Sequence, residues 1–162
     1  MLQVRKVKAA DYDKVWEILE KIIRKGDSFA CSPASTKKER ISYWCGLDKH
    51  TYVAVDEGEI AGTFFIQDNQ PGLGSHIANA GYAVSPAKSG KGIGKFMGEY
   101  SLAEAKKLGN KAMQFNLVVK SNDAAIQLWK TIGFQIIGEI PEAFDHIEKG
   151  LTNAYIMYQK LN

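Results

Sequence analysis

At 162 residues and 45% hydrophobic side chains the chain can bury one sizeable core and is short for two, so one domain over residues 1–162 is expected. The formal net charge of +3 comes from interspersed lysines and acids, which speaks against a nucleic-acid surface and leans only mildly toward anionic ligands. No run approaches the roughly 18 apolar residues of a membrane span, and Cys31 and Cys45 lie far apart with no CxxC or histidine pair; a cytoplasmic protein without metal or disulfides is expected.

Leu2 to Lys8 alternates apolar and basic residues with period two, the pattern of a half-buried strand. From Asp11 the rhythm changes. Val15, Ile18, Leu19, Ile22 and Ile23 recur at three- and four-residue spacings, which predicts an amphipathic helix to about Lys25, stopped by Gly26. GDSFACSPAS is a loop before a second helix around Thr36 to Trp44, with Ser35 or Thr36 as candidate N-cap. TYVAVDEGEIAGTFFIQ reads as a hairpin whose turn, Asp56 to Gly58, gains its positive φ from Gly58. QDNQPGLGS is a loop by composition.

His76 to Ser85 is the fourth strand and runs through a glycine- and lysine-rich knot into a long helix. Lys111 to Val119 is apolar on both faces and therefore a central fifth strand. A helix follows over Asn122 to Ile132, closed by Gly133. Phe134 to Ile140 and Asn153 to Leu161 complete the chain as strands around an irregular Pro141 to Gly150 loop. The order β α α β β β α β α β β predicts an α/β (α+β) fold, a mixed sheet covered by helices.

The knot, SPAKSGKGIGKF, alternates Gly90, Gly92 and Gly94 at a helix start. Unpaired backbone N–H groups and a partial positive charge make such a terminus an anion site. A Walker A loop does not fit: with Gly94 and Lys95 aligned, Ser89 replaces the first glycine and Phe96 the metal-binding hydroxyl. Nor does a dinucleotide fingerprint, where Lys95 takes the third glycine position. A pyrophosphate cradle remains, beside the plainer reading of a glycine-rich helix start with solvated lysines. Two amides also stand out, Asn79 and Asn116, each mid-strand in apolar surroundings. An unpartnered buried amide costs ~1–3 kcal/mol, so these either converge where the sheet opens or pair with backbone there.

The block VSPAKSGKGIGKFMGEYSLAEAKKLG and the later FNLVVKSNDAAIQLWKTIGF resemble the GNAT superfamily of acetyl-CoA-dependent N-acetyltransferases, through Gly92-Ile93-Gly94, Asn122-Asp123-Ala124-Ala125 and Trp129 to Gly133-Phe134. The resemblance implies a central, mostly antiparallel mixed sheet of six or seven strands, splayed between strands four and five and flanked by about four helices. It implies acetyl-CoA as the acyl-donor cosubstrate, with its pyrophosphate on the amides of Ser89, Gly90, Lys91, Gly92, Ile93, Gly94 and Lys95. The pantetheine arm would pair around Tyr82, Ala83 and Val84 and reach Asn122, and a fourth-strand N–H would polarise the thioester carbonyl.

Two departures from the family pattern stand out. Ser89 takes the place of the usual Arg or Gln, with Lys88 as a candidate substitute, and Trp129 takes that of a tyrosine able to protonate the leaving thiolate; indole has no usable acid function. SHIANAGYAVSP, MQFNLVV and IPEAF are similar to the branch that includes the yeast acetyltransferase acting on L-azetidine-2-carboxylate, which implies acceptor-binding and catalytic roles for Asn79 and Asn116. Phe29 would form an apolar wall of the acceptor pocket, with Asp27 and Ser28 near the amine; Cys31 has no evident base, and His76 and His146 are weaker candidates. The expected reaction is direct attack of a small primary or secondary amine, an amino acid or analogue, on the thioester. A non-catalytic acyl-CoA sensor and a protein acetyltransferase are the alternatives. Homodimerisation is expected from family habit, with no nucleic-acid or membrane partner.

Overall fold

The computed structural model describes residues Met1–Asn162. Seven strands, β1 (Leu2–Lys6), β2 (His50–Asp56), β3 (Glu59–Asp68), β4 (Ile77–Val84), β5 (Ala112–Val119), β6 (Gln135–His146) and β7 (Gly150–Lys160), form one sheet in the order β1-β2-β3-β4-β5-β7-β6. All neighbours run antiparallel except β4 and β5. Helices α1 (Tyr12–Ile23) and α2 (Lys37–Trp44) cover one face; α3 (Ile93–Lys107) and α4 (Asp123–Thr131) cover the other. No helix is long and apolar enough to cross a membrane.

The two faces carry separate cores. Val15, Ile18, Leu19 and Ile23 on the apolar stripe of α1 pack with Trp44, Val53, Phe65 and Ala83, all buried. On the other face Ile93 and Met97 of α3 join Phe64, Met113, Phe115, Trp129 and Met157. Alternation along β4 sends Tyr82 to the α3 side and Ala83 to the α1 side, so this strand is packed from both directions. A Cβ at Gly98 would come within 2.8 Å of Ile132, which explains how α3 and α4 approach so closely.

Boundaries mostly fall where capping and periodicity put them. Thr36 caps α2, its side chain accepting from Glu39 N–H while the Glu39 carboxylate accepts from Thr36 N–H. The first strand stops at Lys6, short of the Lys8 expected, because Ala9–Asp11 forms a 3-10 turn held by Asp11, which accepts from Lys8 N–H and from Arg5.

The Pro141 to Gly150 segment corrects the expectation of an irregular loop. β6 continues to His146, and Phe144, Asp145 and His146 pair with Thr152, Leu151 and Gly150. Pro141, Glu142 and Ala143 form a bulge within the strand, with Glu142 at φ 49° and its N–H donating to Asn153 Oδ1. Buried Phe144 and His146 restore the pairing beyond it; His146 Nδ1 accepts from Glu148 and Lys149 N–H and so closes the turn.

Candidate active site

β4 and β5 pair only through Ile77 with Ala112 and Ala78 with Met113, then part. A bulge on β5 drives the divergence: Phe115 still faces Met157 of β7, but the next matched pair is Val118 with Tyr155, leaving Asn116 and Leu117 opposite one residue. At the vertex Asn79 Nδ2 donates to the Gln114 carbonyl at 3.0 Å, and Asn79 Oδ1 accepts from Gln67 Nε2 at 3.1 Å. The Asn79 amide is thus satisfied at both ends. Asn116 is exposed at the bulge, contrary to the burial that its apolar neighbours suggest. Its side chain accepts from Gln114 Nε2 and donates to Asn69 Oδ1, tying β5 to the loop after β3.

A cavity of about 430 Å³ passes through the opening. Phe29, Cys31, Trp44 and Phe65 wall it on the α1/α2 side, Tyr82, Phe115, Trp129 and Asn122 on the α3/α4 side, and both Asn79 and Asn116 line it. No aspartate, glutamate or histidine does, so the cavity holds no ordinary general base. His76 lies at the foot of β4 in a different surface depression, and His146 is committed to the β6–β7 turn. Ser28 lines the cavity; Asp27 does not.

The strand edge facing the cavity follows from hydrogen-bond parity. Ser85 N–H donates to Ala61 of β3, and pairing alternates, so Gly81 and Ala83 direct their backbone groups to β3. Ala80, Tyr82 and Val84 therefore present theirs to the opening. Ala83 contributes to the wall with its side chain. The Tyr82 hydroxyl lies 2.6 Å from Ser101 Oγ, and burial pushes its ionisation well above the ordinary tyrosine range, which makes it a poor proton donor to a thiolate. Trp129, 8% exposed, packs at a tilt against the rings of Tyr82 and Phe115 and closes the α4 side.

The glycine knot lies at the end of β4. Gly90 and Gly92 both take φ 77°, a conformation that turns successive amides toward one side. The N–H groups of Gly90, Lys91, Gly92, Ile93, Gly94 and Lys95 donate to no protein acceptor, and a Cβ built at Gly90 or Gly92 would meet nothing within 4 Å. An unfilled row of donors at a 15-residue helix start fits a pyrophosphate such as that of coenzyme A. Ser89 gives its hydroxyl to the Pro86 carbonyl, Lys88 Nζ lies 3.8 Å from the exposed Glu59 carboxylate, and Lys91 and Lys95 have no ion pair. Asn122 caps α4 through Oδ1, accepting from Ala125 N–H, while its Nδ2 has no protein partner and faces the same cavity. Sequence reasoning missed Gln67 and Gln114, whose polar roles arise only once β3, β4 and β5 are side by side.

Residues 13–134 match the model of the acetyltransferase (GNAT) family. N-acetyltransferase aca1 of Schizosaccharomyces pombe is 40% identical over 98 residues, which are 60% of this chain and 47% of that protein, so the chain spans about half the length of this relative. The structure of a GCN5-related N-acetyltransferase from Kribbella flavida superposes with a TM-score of 0.93 at 35% identity, covering 99% of this chain and 98% of that one. A phosphinothricin acetyltransferase from Sinorhizobium meliloti, in complex with acetyl-CoA, shares the fold at 22% identity and a TM-score of 0.87, covering 99% of this chain and 89% of that one.

Proposed function

Because this chain belongs to the acetyltransferase (GNAT) family, we propose that it transfers an acetyl group from acetyl-CoA to a small primary or secondary amine, an amino acid or amino-acid analogue, by direct attack. The observation that carries this reading is the cavity through the β4–β5 opening, which runs from the α1/α2 wall to Val84, Asn122 and Trp129, with the free amides of the knot following just beyond the end of β4. Its size suits a small acceptor rather than an extended peptide.

Acetyl-CoA would supply the acyl group as an activated thioester. The amides from Gly90 to Lys95 would hold its pyrophosphate, and Asn122 Nδ2 and the exposed edge of β4 would fix the arm. A backbone N–H at Ala80, Tyr82 or Val84 is oriented to donate to a carbonyl oxygen in the opening, the place where negative charge grows during attack. Asn79, locked by Gln67 and Gln114, sets the width of the vertex, and Asn116 at the bulge can exchange a neighbour for the acceptor. With no acidic or imidazole side chain on the wall, the amine enters neutral or gives its proton to solvent, and Trp129 excludes water without acting as an acid.

Thiol release from acetyl-CoA, followed with amino acids, cyclic amino-acid analogues and simple amines, tests the proposal. Release dependent on one of these acceptors supports it. Tight acetyl-CoA binding with no release from any of them would instead favour a sensor.

A further inference from the structure

Arg40 lines the acceptor half of the cavity, and nothing in the reaction described above uses it. The chain has three arginines. Arg5 is paired with Asp11 at 2.7 Å and Arg24 with Glu20 at 3.0 Å. Arg40 has no ion pair, and its Nε is buried without a hydrogen-bond acceptor. A buried donor left unmatched in this way is rare in a folded chain.

Its surroundings show why no protein group neutralises it. The adjacent carboxylate, Glu39, is consumed by the cap of α2, accepting from Thr36 N–H and Oγ1, both at 2.9 Å. The Arg40 guanidinium carbon sits 5.4 Å from the centre of the Tyr43 ring, which restricts the fork on one side. Phe29, Trp44 and Phe65 make the wall around it apolar. No other charged side chain lines the cavity. The pyrophosphate knot belongs to α3 on the opposite face of the sheet, so the coenzyme phosphates are not the partner that Arg40 awaits.

We infer that Arg40 is a specificity-determining residue that binds a carboxylate carried by the amine acceptor. A guanidinium offers two parallel N–H donors that match a carboxylate, and poor solvation strengthens the pair. The same cation disfavours acceptors whose only charge is positive. The inference rests on the acetyltransferase reading and narrows its acceptor to amines bearing an anion, with amino acids the simplest class.

The test uses matched pairs: L-proline with pyrrolidine, and L-leucine with 3-methylbutylamine. Calorimetric binding in the presence of coenzyme A and thiol release from acetyl-CoA are measured for the parent, Arg40→Gln and Arg40→Lys. In the parent at least one amino acid should outperform its carboxylate-free twin by roughly 10- to 100-fold, the scale of a charge-assisted hydrogen-bonded pair. Arg40→Gln should bring that ratio close to one, and Arg40→Lys should restore part of it. An unchanged coenzyme A affinity in both variants confirms that they fold. Arg40-dependent amino-acid binding without thiol release would uphold the inference while removing the enzyme reading. Thiol release with equal preference for both members of each pair, a preference untouched by Arg40→Gln, or no amino acid bound by the parent, would overturn the inference.

Discussion

Asn79 Nδ2 donates to the carbonyl oxygen of Gln114 at 3.0 Å, bridging with a side chain the gap where the backbone ladder between β4 and β5 has just ended. Past Ala78 and Met113 the strands can no longer reach one another, and one amide satisfies what would otherwise be a stranded carbonyl. Asn79→Ala removes that donor and leaves Gln67 Nε2 only its longer, 3.5 Å contact with the Tyr43 hydroxyl. The variant should lose about 1–3 kcal/mol in urea unfolding, and acceptor turnover should fall with it. Parent-like values for both would show that the vertex does not depend on this amide.

Asn116 presents a different case, because its partners are exposed and exchangeable. Asn116→Ala should lower kcat about 10-fold or more, as loss of an oriented polar group at a reacting centre does, with acetyl-CoA affinity within about threefold of the parent. Steady-state kinetics and calorimetry separate the two quantities. Equal kcat in variant and parent would remove Asn116 from the mechanism.

At the knot, Gly92→Glu places a side chain on a φ of 77° and a negative charge among donors meant for an anion. Acetyl-CoA binding should disappear in calorimetry. Ser89→Arg should act in the opposite direction, tightening the coenzyme by several-fold through one added charge-assisted contact. Retained binding in the first variant would place the pyrophosphate elsewhere.

The order of elements was legible because periodicity and caps are local: the stripe of α1, Thr36 before α2 and the glycines before α3 all lie in short windows. The knot was legible for the same reason. Pro141, Glu142 and Asp145 read locally as a loop, yet Phe144 and His146 have tertiary burial to gain by resuming the strand, and that gain is invisible in sequence. Asn116 was expected inside an apolar strand; the β5 bulge exposes it, and a bulge depends on the register with β7. Arg40 gave no signal at all, since KKER on a short helix reads as a solvated face until the cavity beneath it is known.

Acid should expose a separate electrostatic lock. The Arg5 hydrogen bond, with help from Lys8 N–H, holds the Asp11 carboxyl below its usual range. A carboxylate with a depressed folded-state pKa contributes stability fully present above its unfolded pKa, about 4, and lost as pH falls through the folded value. Arg5→Met should therefore lower the melting temperature at neutral pH, and the gap to the parent should narrow below about pH 4. Arg5 is partly exposed, so the gap should be modest. A pH-independent gap would assign the loss to packing.

The whole donor side of the proposed reaction depends on the amides from Gly90 to Lys95 holding coenzyme A. The most direct measurement is the melting temperature with acetyl-CoA, free coenzyme A or ATP added separately. A ligand held only by the folded state at about 100 times its Kd stabilises by roughly 2.7 kcal/mol, enough to move the transition visibly. A shift is expected with both coenzyme forms, none with ATP, and no response to either coenzyme form in Gly92→Glu. No shift with acetyl-CoA or coenzyme A in the parent chain would contradict it.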